Sequence, residues 1–168
     1  MASTKPPLQK EPRSFPHPLS LEEKTVMDNE IQELLRKGAI ETVRNQQSPG
    51  FYSRLFTIPK RTGGYRPILD LSPLNKHLKH VAFRMDSADT IRRAVLLGDW
   101  AVSLDLRDAF FHVDIFPRDR KWLRFSWRDC SYQYKVLPFG LSQSPWVFTR
   151  VVRDLFTAEP KVSDYTHT

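Results

Sequence analysis

Asp105 is the residue whose surroundings most need a chemical explanation. It stands near the end of a strongly apolar run, residues 100–106, inside the octapeptide Leu104-Asp105-Leu106-Arg107-Asp108-Ala109-Phe110-Phe111. A carboxylate on a buried apolar strand is costly unless something compensates its charge. A divalent cation does this well, because Mg²⁺ prefers hard carboxylate oxygens. Paired ions of this kind activate an attacking hydroxyl and stabilise a leaving phosphate. The plainer alternative is that Asp105 caps a turn.

Two other stretches have residue types suited to the same chemistry. In Pro59-Lys60-Arg61-Thr62-Gly63-Gly64-Tyr65-Arg66-Pro67 a tight turn carries cations on both shoulders. Arg offers phosphate a bidentate fork and Lys adds a point charge, so Lys60 and Arg66 could close on a triphosphate. A solvated basic turn is the competing reading. In Leu137-Pro138-Phe139-Gly140-Leu141-Ser142-Gln143-Ser144-Pro145 an aromatic precedes a glycine that permits close backbone approach, and a polar helix start follows. Such a unit can cradle a base pair, or can simply be a well-capped loop.

The elements that must position these residues can be read from periodicity. Ser20 with Glu23 makes a capping box, and Met27, Ile31, Leu34 and Leu35 form one helical face ahead of Gly38, which predicts a helix over 21–37. Residues 39–43 and 54–59 have strand patterns separated by the Ser48-Pro49-Gly50 turn. Residues 54–59 and 65–71 read as a hairpin around Thr62-Gly63-Gly64. Residues 75–84 look irregular, and Ser87 or Asp89 is expected to cap a short helix ending near Gly98. Residues 100–106 read as a buried strand. Residues 122–127 and 132–137 form a second hairpin across 128–131. Ser142 or Ser144, with Pro145 next, starts a helix whose apolar face is Val147, Phe148, Val151, Val152 and Leu155. The order points to an α+β fold with a mostly antiparallel sheet and packed helices.

Composition narrows the partners. The 168 residues fit one compact domain. Lys and Arg number 26 against 19 Asp and Glu, a net charge of +7. Between Lys60 and Arg84 six cations face Asp70 alone, which puts +5 of that excess in one short stretch. A concentrated basic patch flanked by aromatics fits nucleic acid as a partner. The single cysteine, Cys130, allows no disulfide framework within the chain and suits a reducing compartment. The first 19 residues hold five prolines and no apolar signal-peptide core, which predicts a flexible arm. No run approaches a membrane span. The expected setting is intracellular, cytoplasmic or nuclear.

Taken together, the three stretches resemble the reverse transcriptase family over about residues 20–157. The segment from Lys60 to Asn75 resembles its fingers hairpin, LDLRDAFF its motif A, and YKVLPFGLSQSP its motif B. Phe139 after the proline, and DLSPLNKHL after the hairpin, are similar to retrotransposon enzymes of the DIRS type, then of the Ty3/gypsy type. The resemblance implies the fingers (20–98) and a partial palm (99–157) of a right-hand polymerase, followed by an irregular tail (158–168). It implies Asp105 as catalytic metal ligand beside the backbone carbonyl of Leu106. Lys60 and Arg66 would grip the incoming triphosphate, with the backbone amides of Asp108 and Ala109 facing it. Phe110 would sit under the sugar and reject a ribose 2′-hydroxyl, and Phe139 and Gly140 would line the nucleotide and template pocket. Mg²⁺ or Mn²⁺ would be the cofactor, and RNA or DNA template-primer and dNTP the partners.

One family element is missing. Motif C, a Tyr-x-Asp-Asp turn, should follow the motif B helix, but the chain ends Val162-Ser163-Asp164-Tyr165-Thr166-His167-Thr168. A single carboxylate anchors a metal pair poorly. The expectation is therefore a reverse transcriptase domain fragment that is inactive alone, unless another chain completes it. The alternatives are a non-catalytic nucleic-acid-binding retrotransposon remnant and a remnant with no selected function.

Overall fold

The computed structural model describes residues 6–9, 18–45, 48–85, 87–100, 102–103 and 105–157. Helix α1, Leu21–Arg36, starts on the predicted capping box: the Glu23 amide donates to Ser20 Oγ at 3.2 Å and the Ser20 amide to Glu23 Oε2 at 2.8 Å. Its buried face is Met27, Ile31 and Leu34. At the other end Gly38 adopts φ +67°, its amide reaching Leu35 O and the Ala39 amide reaching Leu34 O, both at 2.9 Å. This pair of bonds is a Schellman cap, which needs the left-handed conformation that glycine takes most easily. The cap turns the chain directly into β1, Ile40–Thr42.

Two antiparallel sheets follow. One has the order β1-β5-β4, with β4 at Arg124–Trp127 and β5 at Cys130–Tyr134. Phe125 stacks on Tyr132 at 5.5 Å and meets Tyr134 at 5.9 Å, so the cross-strand pairs on this face are aromatic. The other sheet is the hairpin of β2, Arg54–Pro59, and β3, Tyr65–Asp70. Thr57 Oγ1 donates to Glu23 at 2.6 Å and ties this hairpin to the start of α1. Between the sheets, residues 50–53 run beside β4. Phe51 donates to Lys121 O and Ser53 to Arg124 O, both at 2.8 Å. The core lies where these pieces meet α1, around Met27, Phe51, Leu71, Leu74 and Phe125.

Arg124 is buried at 5 % exposure, yet its bonds go to neutral oxygens: Ser48 O at 2.6 Å, Ser48 Oγ at 3.0 Å and Gln133 Oε1 at 3.2 Å. Gly50 makes room for it, since a Cβ there would lie 2.4 Å from Arg124 Cδ. The Ser48-Pro49-Gly50 turn is therefore a receptacle for a buried guanidinium as well as a change of direction.

Several sequence expectations need correction. The described residues of the 100–106 run do not form a buried strand: Trp100 is 100 % exposed, Val102 85 % and Leu106 52 %. A strand needs a neighbouring backbone to bond to, and among the described residues none pairs with this run. The second hairpin closes through the two residues Arg128 and Asp129 rather than four, both with positive φ (41° and 42°), as a type I′ turn requires. Its strands are shorter than predicted, because residues 117–122 form a 3₁₀ helix and Tyr134 ends β5. Residues 72–75 form a short helix, α2, just before the irregular stretch. Helix α3, Ala88–Ala94, is capped by Ser87 and ends before Gly98, while Asp89 pairs with Arg92 and Arg93. Helix α4, Ser144–Thr157, begins as expected, but its apolar stripe is only partly covered: Leu155 is exposed, and Val151 is exposed at the margin. The tail, residues 158–168, with its Asp164-Tyr165 pair, lies outside the described residues.

Candidate nucleotide-binding site

The turn after Asp105 forms one wall of an open hollow of about 590 Å³, bordered by Asp105, Leu106, Asp108, Phe111, His112 and, from the end of α1, Lys37. Asp108 has left-handed backbone angles, φ 52° and ψ 40°. That region is uncommon for a residue with a side chain, though aspartate tolerates it better than most. Two contacts hold it there. The Phe111 amide donates to Asp108 O at 2.7 Å, opening the 3₁₀ turn Ala109–His112. The Lys37 ammonium donates to Asp108 Oδ2 at 2.8 Å and lies 3.5 Å from Glu33. The bond to Asp108 raises the Lys37 pKa above its ordinary value and outweighs the opposing effect of desolvation. Lys37 also sits 5.9 Å above the Phe111 ring. Asp105 itself is exposed.

Behind this wall is a cluster of four phenylalanines. Phe110 packs on Phe139 at 5.0 Å and edge-on against Phe148 at 5.6 Å, and Phe111 meets Phe139 at 5.8 Å. Phe139 belongs to the loop before α4, so the octapeptide around Asp105 and the Leu137–Pro145 stretch are in direct contact. The loop is held from within and from outside. Ser144 Oγ, fully buried, donates to Pro138 O at 2.9 Å. Asn75, at the end of α2, donates to Gly140 O and accepts from the Ser142 amide, both at 2.9 Å. Gly140 has φ +89°, and a Cβ there would sit 3.9 Å from Leu69 O and Leu71 Cδ1, so conformation restricts the position more than space does.

The structure places the predicted residues in two groups. Asp105, Leu106, Asp108, Ala109, Phe110, Phe139 and Gly140 belong to one continuous patch. Lys60 and Arg66 stand apart at the hairpin tip, where the Lys60 amide donates to Gly64 O at 2.9 Å and Arg66 lies opposite Ile58. Both are exposed, and neither borders the hollow at Asp105. By strand alternation Lys60, two residues beyond Ile58, falls on the same face as Arg66.

Sequence reasoning missed Lys37 and Asn75. Local pattern marks Lys37 only as the end of a helix, and its partner, Asp108, is 71 positions away. Asn75 lies inside the DLSPLNKHL segment, whose polar residue after a short apolar turn was the available signal.

Among the described residues no three His, Cys, Asp or Glu side chains gather as a metal cage. Asp105 and the Leu106 carbonyl are hard oxygen donors of the kind Mg²⁺ takes, but the Asp108 carboxylate is engaged by Lys37. Mg²⁺ commonly rests on one or two carboxylates plus substrate phosphates and water. The donors present fit an ion whose remaining oxygens come with a phosphate ligand.

A family model for reverse transcriptase (RNA-dependent DNA polymerase) matches residues 58–163. The chain is 28 % identical over 149 residues to the Pro-Pol polyprotein of simian foamy virus type 3, covering 89 % of this chain and 13 % of that protein. It is 30 % identical over 133 residues to the enzymatic polyprotein of Cestrum yellow leaf curling virus, covering 78 % and 20 %. The chain thus spans a fifth or less of the length of these relatives. In fold it is similar to the crystal structure of prototype foamy virus protease–reverse transcriptase, with TM-score 0.69, 23 % identity and coverage of 95 % of this chain and 21 % of that one. A foamy viral protease–reverse transcriptase in complex with dsDNA gives TM-score 0.66 at 21 % identity, with coverage of 95 % and 32 %. The α+β arrangement of helices and antiparallel sheets is that of polymerase fingers and palm, as the sequence predicted. Among the described residues no helix is long and apolar enough to cross a membrane. With more than half its length matched by the family model, this chain belongs to the reverse transcriptase family.

Proposed function

We propose that residues 20–98 act as fingers and residues 99–157 as the first part of the palm of an RNA-directed DNA polymerase site that grips a dNTP against a template-primer. The observation that carries this reading is the contact of Phe110 with Phe139 at 5.0 Å, which joins the Asp105 turn to the glycine loop before α4. In this reading Phe110 lies under the sugar and excludes a 2′-hydroxyl, and Phe139 and Gly140 line the base and template side. The left-handed Asp108 aims the Asp108 and Ala109 amides at the triphosphate. Lys60 and Arg66, on one face of the hairpin, neutralise it from the other side. Asp105 and the Leu106 carbonyl would hold Mg²⁺, or Mn²⁺, which would supply charge neutralisation for phosphoryl transfer. Electrostatic positioning of this kind is the main source of rate in that chemistry. The dsDNA held by the foamy viral relative supports a nucleic-acid partner, and a lone cysteine, Cys130, fits an intracellular setting. The DLSPLNKHL and LPFGLSQSP sequences favour an origin in a DIRS-type or Ty3/gypsy-like retrotransposon.

These 168 residues alone do not polymerise, because they contain one of the carboxylate motifs that anchor the metal pair and lack the Tyr-x-Asp-Asp turn. Primer extension on poly(rA) is expected to give no product. Robust Mg²⁺-dependent synthesis that disappears in Asp105→Asn overturns the inactivity. Nucleotide grip is tested separately by titrating dTTP with Mg²⁺ and following backbone amides by NMR. Shifts are expected at 105–112 and 139–140, and Lys60→Ala with Arg66→Ala is expected to weaken binding by about tenfold, the loss of charge-assisted phosphate bonds. No shift at any of these positions removes the nucleotide-site assignment.

The +5 stretch from Lys60 to Arg84 favours one second reading, a non-catalytic nucleic-acid binder. Retention of single strands or duplex that weakens steeply with salt, without any dTTP response, would support it; salt-independent retention would count against it.

A further inference from the structure

The turn that faces the triphosphate in the reading above carries a negative charge of its own. Asp108 contributes a backbone amide to that turn and a carboxylate beside it, with a side chain 31 % exposed. A carboxylate so close to an anion site opposes the ligand unless a cation cancels it.

Two cations lie near enough to do so. Arg107 Nε is 4.0 Å from Asp108 Oδ2, but the arginine side chain is 88 % exposed. An ion pair that well solvated contributes little. Lys37 Nζ is 2.8 Å from the same oxygen, and its side chain is 23 % exposed. The shorter and drier contact carries the neutralisation.

Lys37 can serve Asp108 because its own helix makes a weaker claim on it. Glu33, one turn earlier on α1, lies 3.5 Å from Lys37 Nζ. The two Glu33 oxygens already accept from Arg36, each at 2.7 Å. The Lys37 ammonium therefore makes its closer contact with Asp108, across 71 positions of sequence. The Phe111 ring, 5.9 Å from the ammonium, adds a cation–π contact on the same turn. Lys37 also borders the hollow at Asp105 and Leu106, which Lys60 and Arg66 do not.

We propose that Lys37 is a positioning residue for nucleotide binding: it masks the Asp108 carboxylate, so that the backbone at Asp108 and Ala109 meets the triphosphate without an opposing charge. This role rests on the nucleotide-site reading given above. Lys37 acts through Asp108 and is not a further phosphate ligand, since its ammonium is committed to that carboxylate. It matters only while residue 108 is charged.

The full chain is titrated with dTTP and Mg²⁺, and affinity is read by NMR from the backbone amides of residues 105–112. Lys37→Met is expected to weaken binding about tenfold, the scale of one uncovered like charge at a partly exposed site. The same substitution is then made in a chain carrying Asp108→Asn. Asparagine accepts the left-handed backbone as aspartate does and has no charge, so there Lys37→Met is expected to change affinity by about twofold at most. Lys37→Gln repeats the cycle with a polar side chain, and native amide positions in β4 and β5 identify the folded variants. Equal losses in both backgrounds overturn the proposal, because Lys37 would then grip phosphate itself. Equal affinity of the native and Lys37→Met chains overturns it too.

Metal-free tripolyphosphate, titrated in parallel, separates this role from the nucleotide reading. A chain that ignores dTTP but binds tripolyphosphate with the same dependence on Lys37 loses the nucleotide assignment and keeps the masking role. Binding of dTTP that is indifferent to Lys37 does the reverse. Absence of a response to either ligand overturns both.

Discussion

The region built on α1, β1, β4 and β5 and the stretch from α3 to Asp105 are both rich in large apolar side chains, and they reach opposite environments. Met27, Tyr52 and Phe125 are at most 1 % exposed, whereas Leu97, Trp100 and Val102 are almost fully solvated. Hydrophobicity does not separate the two sets. What separates them is backbone: β4 bonds to β5 on one side and runs beside residues 50–53 on the other, while residues 100–106 have no pairing partner among the described residues. A strand is buried by the elements on its faces and edges, so the same apolar pattern yields a core in one place and an open surface in the other. The second region is also where Asp105 stands, so the proposed metal ligand sits on the less supported part of the fold.

Truncation should expose this contrast most sharply. Phe125→Ala is expected to cost about 3–5 kcal/mol in urea unfolding, the usual loss for a fully buried aromatic. Trp100→Ala should stay within about 0.5 kcal/mol, as for exposed sites. Comparable losses at both positions would mean that Trp100 is covered in solution, and the contrast would collapse. A smaller effect concerns the join between α2 and the glycine loop. Asn75→Ala removes the bonds to Gly140 O and the Ser142 amide, and should destabilise by about 1–2 kcal/mol. It should also speed hydrogen exchange at Ser142 while leaving β4 unchanged.

Lys37→Met tests whether α1 steadies the Asp108 turn. A loss of about 1 kcal/mol is expected from a partly buried charged hydrogen bond, with faster exchange at the Phe111 amide. No change at Phe111 would show that Asp108 keeps its left-handed conformation unaided. The raised Lys37 pKa gives this bond a sign: it contributes fully below the ordinary lysine value of 10.5 and is lost as pH rises through the higher folded value.

The smallest expected effect lies in the supported region. Burial opposes ionisation of Glu41, but hydrogen bonds from Gln133 and Arg120 outweigh it and lower its pKa below 4.5. A lowered carboxylate stabilises above its unfolded value and loses that contribution as pH falls through the folded one. The melting temperature of Glu41→Gln should therefore decline less steeply than that of the native chain below about pH 4.5. Parallel profiles would remove Glu41 from the acid response.

Local signals proved readable where short-range physics decides the outcome. The Ser20–Glu23 box, Gly38, and Gly63 with Gly64 are each determined by bonds within a few residues, and α1, β2 and β3 follow with little error. The hairpin of β4 and β5 was legible in kind but not in extent, because the left-handed pair Arg128 and Asp129 carries no glycine to announce a two-residue turn. For the candidate site, the residue types at Asp105, Phe110, Phe139 and Gly140 were enough to nominate a patch. Their mutual contact was not, since it depends on packing between stretches some 30 residues apart in sequence.

By itself the sequence determined the family, the two cationic shoulders of the hairpin, and the helix caps, because each is written in residue types at short spacing. Only the tertiary structure decided that Lys37 grips Asp108, that Asn75 holds the Gly140 loop, and that Trp100, Val102 and Leu106 lie open. Each of these outcomes is a meeting, or a failure to meet, of groups distant along the chain. Such contacts depend on where folding brings the backbone, and no local pattern encodes that.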